Sequence, residues 1–131
     1  VVVTGDVHTS WAMDVTLDDG SYDAETGQGA VGVEFVAPGI TSPGELPPEL
    51  IDAFVESSPH IYYTNVVDRG YLVLDVREDK VQSDWFFIEG LEESQRAEVP
   101  GANWAVLDGT AHVIEMDGPE LGPADAPDLA T

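Results

Sequence analysis

VVVTGDVHTSWA, the stretch from Val1 to Ala12, opens with three valines and then turns polar. A valine run without polar alternation is typical of a strand buried on both faces in a layered α/β protein. Gly5 lets the backbone turn sharply after that strand. Asp6 and His8 follow, and side chains two residues apart in an extended segment leave the same face. The stretch therefore predicts a buried strand whose carboxyl end presents a carboxylate and an imidazole to one cleft.

The chemistry of Asp6 and His8 suits a site with two different metals. A carboxylate is a hard oxygen ligand, whereas an imidazole prefers transition metals. Such a pair is typical of sites that activate a water and hold the oxygens of a phosphate ester. The bare Asp-x-His pattern also fits an ordinary turn, with Asp6 as a cap and His8 as a loop histidine.

The run from Gly5 to Asp14 resembles the last metal-binding motif of the alkaline phosphatase D (PhoD)-like metallophosphoesterases. Further blocks resemble the same family in the same order: Val33-Glu34-Phe35-Val36 with Thr41-Ser42-Pro43-Gly44, then Pro59-His60-Ile61, then Arg69 to Val76, then Val81 to Phe86. The resemblance covers residues 1 to 115 and implies the carboxyl-terminal part of a larger enzyme.

This resemblance implies hydrolysis of phosphate mono- and diesters at a site that contains iron and one or more calcium ions, with other divalent metals as alternatives. Asp6 would ligate calcium and His8 would ligate iron. Asp14 is a candidate acceptor for the other ring nitrogen of His8. Trp11 is expected to pack beneath the metal loop, the segment from Gly5 to His8. The remaining metal ligands would come from the upstream part of the enzyme.

His60 has no metal role assigned by the resemblance. The family usually carries Asn-Pro-His where this chain has Ser58-Pro59-His60. A histidine after a proline is most often a structural hydrogen-bonding group. His60 is a candidate for a residue that supports the metal ligands without binding metal itself.

Three other polar residues have two interpretations each. Glu34, in the middle of a strand, faces solvent or supports the site. Arg69, one of four Lys and Arg residues in the chain, forms an ion pair or binds an anionic substrate, and the ion pair is the preferred interpretation. His112 lies in a terminal hairpin and is expected to be structural or exposed.

Charge is the unusual property of this composition. Four Lys and Arg residues stand against 26 Asp and Glu, for a formal net charge of −22. Such a surface repels nucleic acid and anionic membranes. It indicates adaptation to high salt or, alternatively, a non-catalytic acidic β-domain that binds a basic partner. No apolar run is long enough for a membrane span, and the absence of cysteine leaves the compartment open. The family resemblance implies secretion or a periplasmic location.

The fold class expected from these patterns is α+β, mostly β in this fragment. Alternating apolar residues and turn signals predict about seven strands, and Pro48 begins one short helix. This corresponds to one sheet of a four-layer α/β/β/α metallophosphoesterase sandwich with a carboxyl-terminal β-hairpin around Asp108-Gly109. Residues 1–88 would be the last portion of the catalytic domain, residues 89–116 a connection and the hairpin, and residues 117–131 a flexible acidic tail. Without the upstream half, Val1–Thr4 would expose a hydrophobic edge.

Overall fold

The computed structural model describes residues 1–44, 47–92 and 97–120, and within them the chain forms eight strands and one α-helix. The helix, α1, spans Pro48–Glu56. The strands are β1 Val2–Thr4, β2 Ser10–Thr16, β3 Ala30–Val36, β4 Ile61–Asn65, β5 Arg69–Val76, β6 Lys80–Ile88, β7 Glu98–Leu107 and β8 Val113–Glu115. A short 3-10 turn lies at Asp19–Ser21.

The strands form two four-stranded sheets. Sheet I has the order β1-β3-β2-β4, and sheet II has the order β5-β6-β7-β8. Among the strand pairs of the described residues, the β1–β3 pair alone is parallel. The mostly β prediction is confirmed, but the prediction of one sheet with an appended hairpin is wrong. The hairpin strands β7 and β8 are part of sheet II, because β7 also pairs with β6.

The main core lies between the two sheets. Phe35 of β3 and Trp85 of β6 are fully buried and meet edge to face with ring centroids 6.0 Å apart. The indole Nε1 of Trp85 donates a hydrogen bond to the Val36 carbonyl oxygen at 3.0 Å, which satisfies the one polar atom of that ring. Burial of such large side chains removes apolar area from water and fixes how the sheets face one another.

Helix α1 packs on the outer face of sheet I. It starts at Pro48, where a missing backbone N–H costs nothing. Ile51 is buried against a second cluster that contains Trp11, Val36 and Ile61, whereas Phe54 is 53% exposed. The predicted helix is confirmed, and it covers only part of this face.

Strand β1 differs from the sequence prediction. Its valines were expected to be buried on both faces, but Val1, Val2 and Val3 are 60%, 46% and 48% exposed. The reason is position: β1 is an edge strand, paired only with β3. The exposed hydrophobic edge expected for this fragment is therefore present.

The carboxyl-terminal residues of the described part belong to sheet II or contact it. Within the predicted connection and hairpin of residues 89–116, β7 already begins at Glu98. Glu120 binds Lys80 at 2.6 Å and its backbone N–H donates to Asp84, and the flexible acidic tail proposed for residues 117–131 stays a prediction. Residues 121–131 lie outside the described part. The proposed division at residue 88 stays a prediction, although β7 continues the sheet that β6 belongs to.

Candidate metal loop and its surroundings

The loop from Gly5 to His8 leaves the carboxyl end of β1 and is bent. Asp6 and His8 have φ values of 75° and 57°, and they are the non-glycine residues with positive φ in the described part of the chain. The Val7 backbone N–H donates to the Gly5 carbonyl oxygen at 2.9 Å, which makes Asp6 the central residue of a γ-turn. The extended geometry predicted for this segment is therefore wrong.

The side chains of Asp6 and His8 are available for ligands. Asp6 is exposed and His8 is half-buried. Within residues 1–44, 47–92 and 97–120, neither side chain has a hydrogen-bond or ion-pair partner. Left-handed backbone at a residue other than glycine is uncommon and occurs often at ligand sites. A free carboxylate and a free imidazole on such a loop fit the donor types expected for calcium and iron.

The pair does not make a complete metal site by itself. No group of three or more His, Asp or Glu side chains among the described residues is arranged to hold a metal ion. Two ligands are too few for either metal, since calcium takes six to eight oxygen ligands. Any metal bound here needs further ligands from outside the described residues.

Trp11 and Thr9 support the loop from below. Both are buried, and the Trp11 indole Nε1 donates a hydrogen bond to the Thr9 hydroxyl at 2.6 Å. Thr9 directly follows His8, so this bond ties the end of the loop to the first residues of β2. The expected packing of Trp11 beneath the metal loop stays a prediction.

The outer face of sheet I next to the loop holds a cavity of about 460 Å³. Gly5 and Val7 of the loop line it, as do Trp11, Glu34 and His60. Asp6 and His8 are not among its lining residues. The cavity therefore lies behind the loop, where it is bordered by Gly5 and Val7.

Asp14 lies elsewhere and has other partners than expected. It is 1% exposed, and its Oδ2 accepts a hydrogen bond from the Tyr22 hydroxyl at 2.8 Å and contacts Nδ1 of His112 at 2.7 Å. Its Oδ1 accepts from the Val113 backbone N–H at 2.8 Å. These bonds occupy the carboxylate, so in this structure Asp14 orients His112 and not His8.

The sequence analysis predicted no specific partner for His112. It contacts Asp14 across 98 residues of chain, and its ring meets the Tyr62 ring edge to face at 5.3 Å. The Tyr22 and Tyr62 hydroxyls are also hydrogen-bonded to each other. Burial, followed by the hydrogen bonds to Tyr62 and Asp14, raises the pKa of Tyr22. No local sequence signal links these residues, because they come from four separate segments.

His60 borders both regions. Its carbonyl oxygen accepts a hydrogen bond from the Asp14 backbone N–H at 2.9 Å, and its ring meets Tyr22 edge to face at 6.4 Å. Its ring lines the cavity behind the loop. The expected supporting role of His60 stays a prediction. Glu34 lines the same cavity and accepts a hydrogen bond from the Thr4 hydroxyl at 2.5 Å.

Taken together, the fold and the loop define a two-sheet β domain that presents an Asp-x-His pair at the carboxyl end of an edge strand. The model of the PhoD-like phosphatase family matches residues 1–85, and the chain belongs to this family. Over 87 residues, which are 65% of this chain, it is 34% identical to alkaline phosphatase D of Bacillus subtilis (strain 168). The matched part spans 14% of that relative.

A solved structure described as the structure of PhoD has the same fold. The similarity has a TM-score of 0.66 at 22% sequence identity, and it covers 92% of this chain and 22% of that chain. The chain is thus similar to a small part of each relative. No helix among the described residues is long and apolar enough to cross a membrane.

Proposed function

We propose that residues 1–131 supply the Asp6 and His8 ligand pair of a phosphoric ester hydrolase. The observation that carries this proposal is the metal loop. The two residues that the family motif assigns as ligands have positive φ, and their side chains have no partner within the described residues. Backbone strain costs free energy, and it persists where a function requires a particular geometry.

Asp6 would hold calcium through its carboxylate, and His8 would hold iron through one ring nitrogen, with other divalent metals as alternatives. When bound, the metals supply Lewis-acid polarisation of the phosphoryl group and charge neutralisation. The protein residues hold the loop: Trp11 fixes Thr9, and the γ-turn at Asp6 fixes the direction of the carboxylate. The substrate would be a phosphate mono- or diester.

The other ligands would come from an upstream part of the same enzyme, because the described residues offer only a pair. Two surfaces support such a partner. The exposed valines of β1 form a free sheet edge, and the cavity beside α1 leaves Phe54 and Val7 uncovered. A strand added at this edge and a helix over this face would extend sheet I and the helical layer on it, which are two layers of the four-layer sandwich that the family resemblance implies.

The acidic surface supports two further parts of the proposal. A net charge of −22 disfavours binding of nucleic acid. It fits an enzyme that works at high salt, where cations screen the repulsion between its carboxylates. The family resemblance leads us to propose secretion or a periplasmic location.

The decisive test uses the protein as its own cell makes it, including any residues outside 1–131. His8→Ala and Asp6→Ala are compared with Asp108→Ala, which removes an exposed carboxylate on the turn between β7 and β8. We expect phosphatase activity and bound iron or calcium to fall by at least about 100-fold in the first two variants only, because direct ligands are lost.

Near wild-type activity of His8→Ala would refute the ligand assignment. A wild-type protein without bound metal that binds a basic partner would support the alternative, a non-catalytic acidic β-domain.

A further inference from the structure

Arg69 begins β5 and is tied to the loop that follows β3. Its side-chain Nε donates a hydrogen bond to the Thr41 carbonyl oxygen at 3.1 Å. The next backbone N–H, that of Gly70, donates to the Gly39 carbonyl oxygen at 3.1 Å. Two bonds therefore hold the start of β5 against the turn from residue 39 to residue 41.

The same turn packs against the metal loop. A Cβ atom placed on Gly39 would lie 3.1 Å from the Cβ of His8 and 2.8 Å from the Ser42 carbonyl oxygen. His8 and Arg69 thus contact one shared turn, although 61 positions separate them in the sequence. The fold brings a guanidinium group to the end of the molecule that carries the candidate metal ligands.

Arg69 differs from the other described cations in its partners. Arg77 pairs with Asp75 at 2.6 Å and with Glu120 at 2.5 Å, and Lys80 pairs with Glu120 at 2.6 Å. Within the described ranges, Arg69 has no carboxylate partner.

The neighbouring carboxylate of Asp68 is engaged elsewhere, since its Oδ2 accepts a hydrogen bond from Asn65 at 2.8 Å. The ion pair favoured from the sequence is therefore not formed among the described residues. Arg96 lies outside them.

We propose that Arg69 binds the phosphoryl oxygens of the ester substrate, a proposal that rests on the proposed function. An anionic ester approaching a chain of net charge −22 needs local positive charge beyond the metals. With Nε held by Thr41, the Nη1 and Nη2 groups remain as two coplanar donors, which match two oxygens of a phosphoryl group. The Thr41 bond orients the guanidinium in advance, so little rotamer freedom is lost on binding.

The experiment compares Arg69→Gln with Arg77→Gln in the protein as its own cell makes it. The two changes remove the same charge, but Arg77 is ion-paired on sheet II. We measure KM and kcat with p-nitrophenyl phosphate, the inhibition constant of inorganic phosphate, and bound iron and calcium. We expect Arg69→Gln to weaken phosphate inhibition and lower kcat/KM by about 10- to 100-fold, the range of one charge-assisted hydrogen bond. Metal content should stay at the wild-type level, and Arg77→Gln should leave phosphate inhibition unchanged.

Arg69→Lys provides a second variant if Arg69→Gln does not fold. A lysine keeps the charge but not the planar pair of donors, so we expect a phosphate inhibition constant between those of wild type and the glutamine variant. The role of Arg69 alone would be overturned by one combination of results. In that combination the wild type is active, His8→Ala is inactive, and the phosphate inhibition constant is unchanged in both Arg69 variants. A wild type with neither metal nor phosphatase activity would overturn the proposed function and this inference together.

Discussion

Two aspartate–histidine pairs lie at different places in the molecule, and their environments are opposite. Asp6 and His8 are two residues apart, lie on a bent loop with positive φ, and have no partner among the described residues. Asp14 and His112 are 98 residues apart, and Asp14 is 1% exposed with hydrogen bonds to both carboxylate oxygens. The same two residue types thus form one pair whose side chains have no partner among the described residues and one pair whose carboxylate accepts hydrogen bonds at both oxygens.

The difference separates a candidate reactive site from a structural one. A buried carboxylate is stable only when donors replace the water it has lost, and Asp14 has three of them. Those bonds join strand β2, the loop that contains Tyr22 and the segment before β8. Asp6 and His8 contribute no such bonds, and their backbone is strained. Neither side chain therefore stabilises the described part of the fold, which supports the proposal that the two residues bind a ligand.

The largest expected effect concerns the buried carboxylate. Asp14→Asn should lower the free energy of unfolding by about 3 kcal/mol, because the new amide group faces the donors of Tyr22 and His112. Asp6→Asn should change it by less than about 0.5 kcal/mol, as expected for an exposed side chain. Urea unfolding of the two variants measures both values, and equal losses would remove the distinction between the pairs.

The packing of His112 can be tested through Gly27. This glycine has φ of 69°, and a Cβ placed on it would lie 2.4 Å from the Cβ of His112. Gly109 has φ of 76° with no atom within 4 Å of its added Cβ. Gly27→Ala should therefore cost about 1–3 kcal/mol more than Gly109→Ala, since both share the backbone penalty but only the first is overpacked. Thermal unfolding of both variants supplies the comparison, and equal costs would show that His112 moves away freely.

Relief of strain in the metal loop should have a smaller effect of the opposite sign. Asp6→Gly removes the backbone strain of a non-glycine residue with positive φ, which is about 1–2 kcal/mol. The glycine also raises the conformational entropy of the unfolded chain, which reduces this gain in stability by about 0.4–1 kcal/mol. The variant should thus be more stable by up to about 1.6 kcal/mol while it loses bound metal. Chemical denaturation together with metal analysis measures both changes. A destabilised variant would mean that the Asp6 side chain has a structural role.

A further effect is confined to alkaline pH and concerns the half-buried Tyr63. Burial raises the pKa of Tyr63 from 10.0 to about 12. The unfolded chain releases this proton near pH 10 while the folded chain keeps it. Tyr63 therefore contributes stability that is fully present below pH 10 and is lost as the pH rises through about 12. Tyr63→Phe should flatten this part of the pH profile of the unfolding free energy, and an unchanged slope between pH 10 and 12 would contradict the assignment.

Much of the secondary structure was predictable because its signals are local. Alternating apolar residues predicted about seven strands, and eight are present among the described residues, while Pro48 marked the start of α1. The start of β7 is harder to predict, because Pro100 and Gly101 resemble a loop in sequence although they lie in a strand with a register shift opposite them. The partition into two sheets was missed, since pairing of strands depends on contacts between distant segments.

The sequence by itself determined the family motif at Asp6 and His8, the strand-forming segments and the acidic charge, because each depends on residue type and short spacing. Tertiary structure alone decided the bend of the metal loop, the exposure of β1 and the partners of Asp14 and Arg69. Strand alternation predicts which faces two residues share, but it says nothing about what lies opposite them. A carboxylate becomes structural or free for a ligand according to the donors that distant segments bring to it, and those donors are set only when the sheets pack.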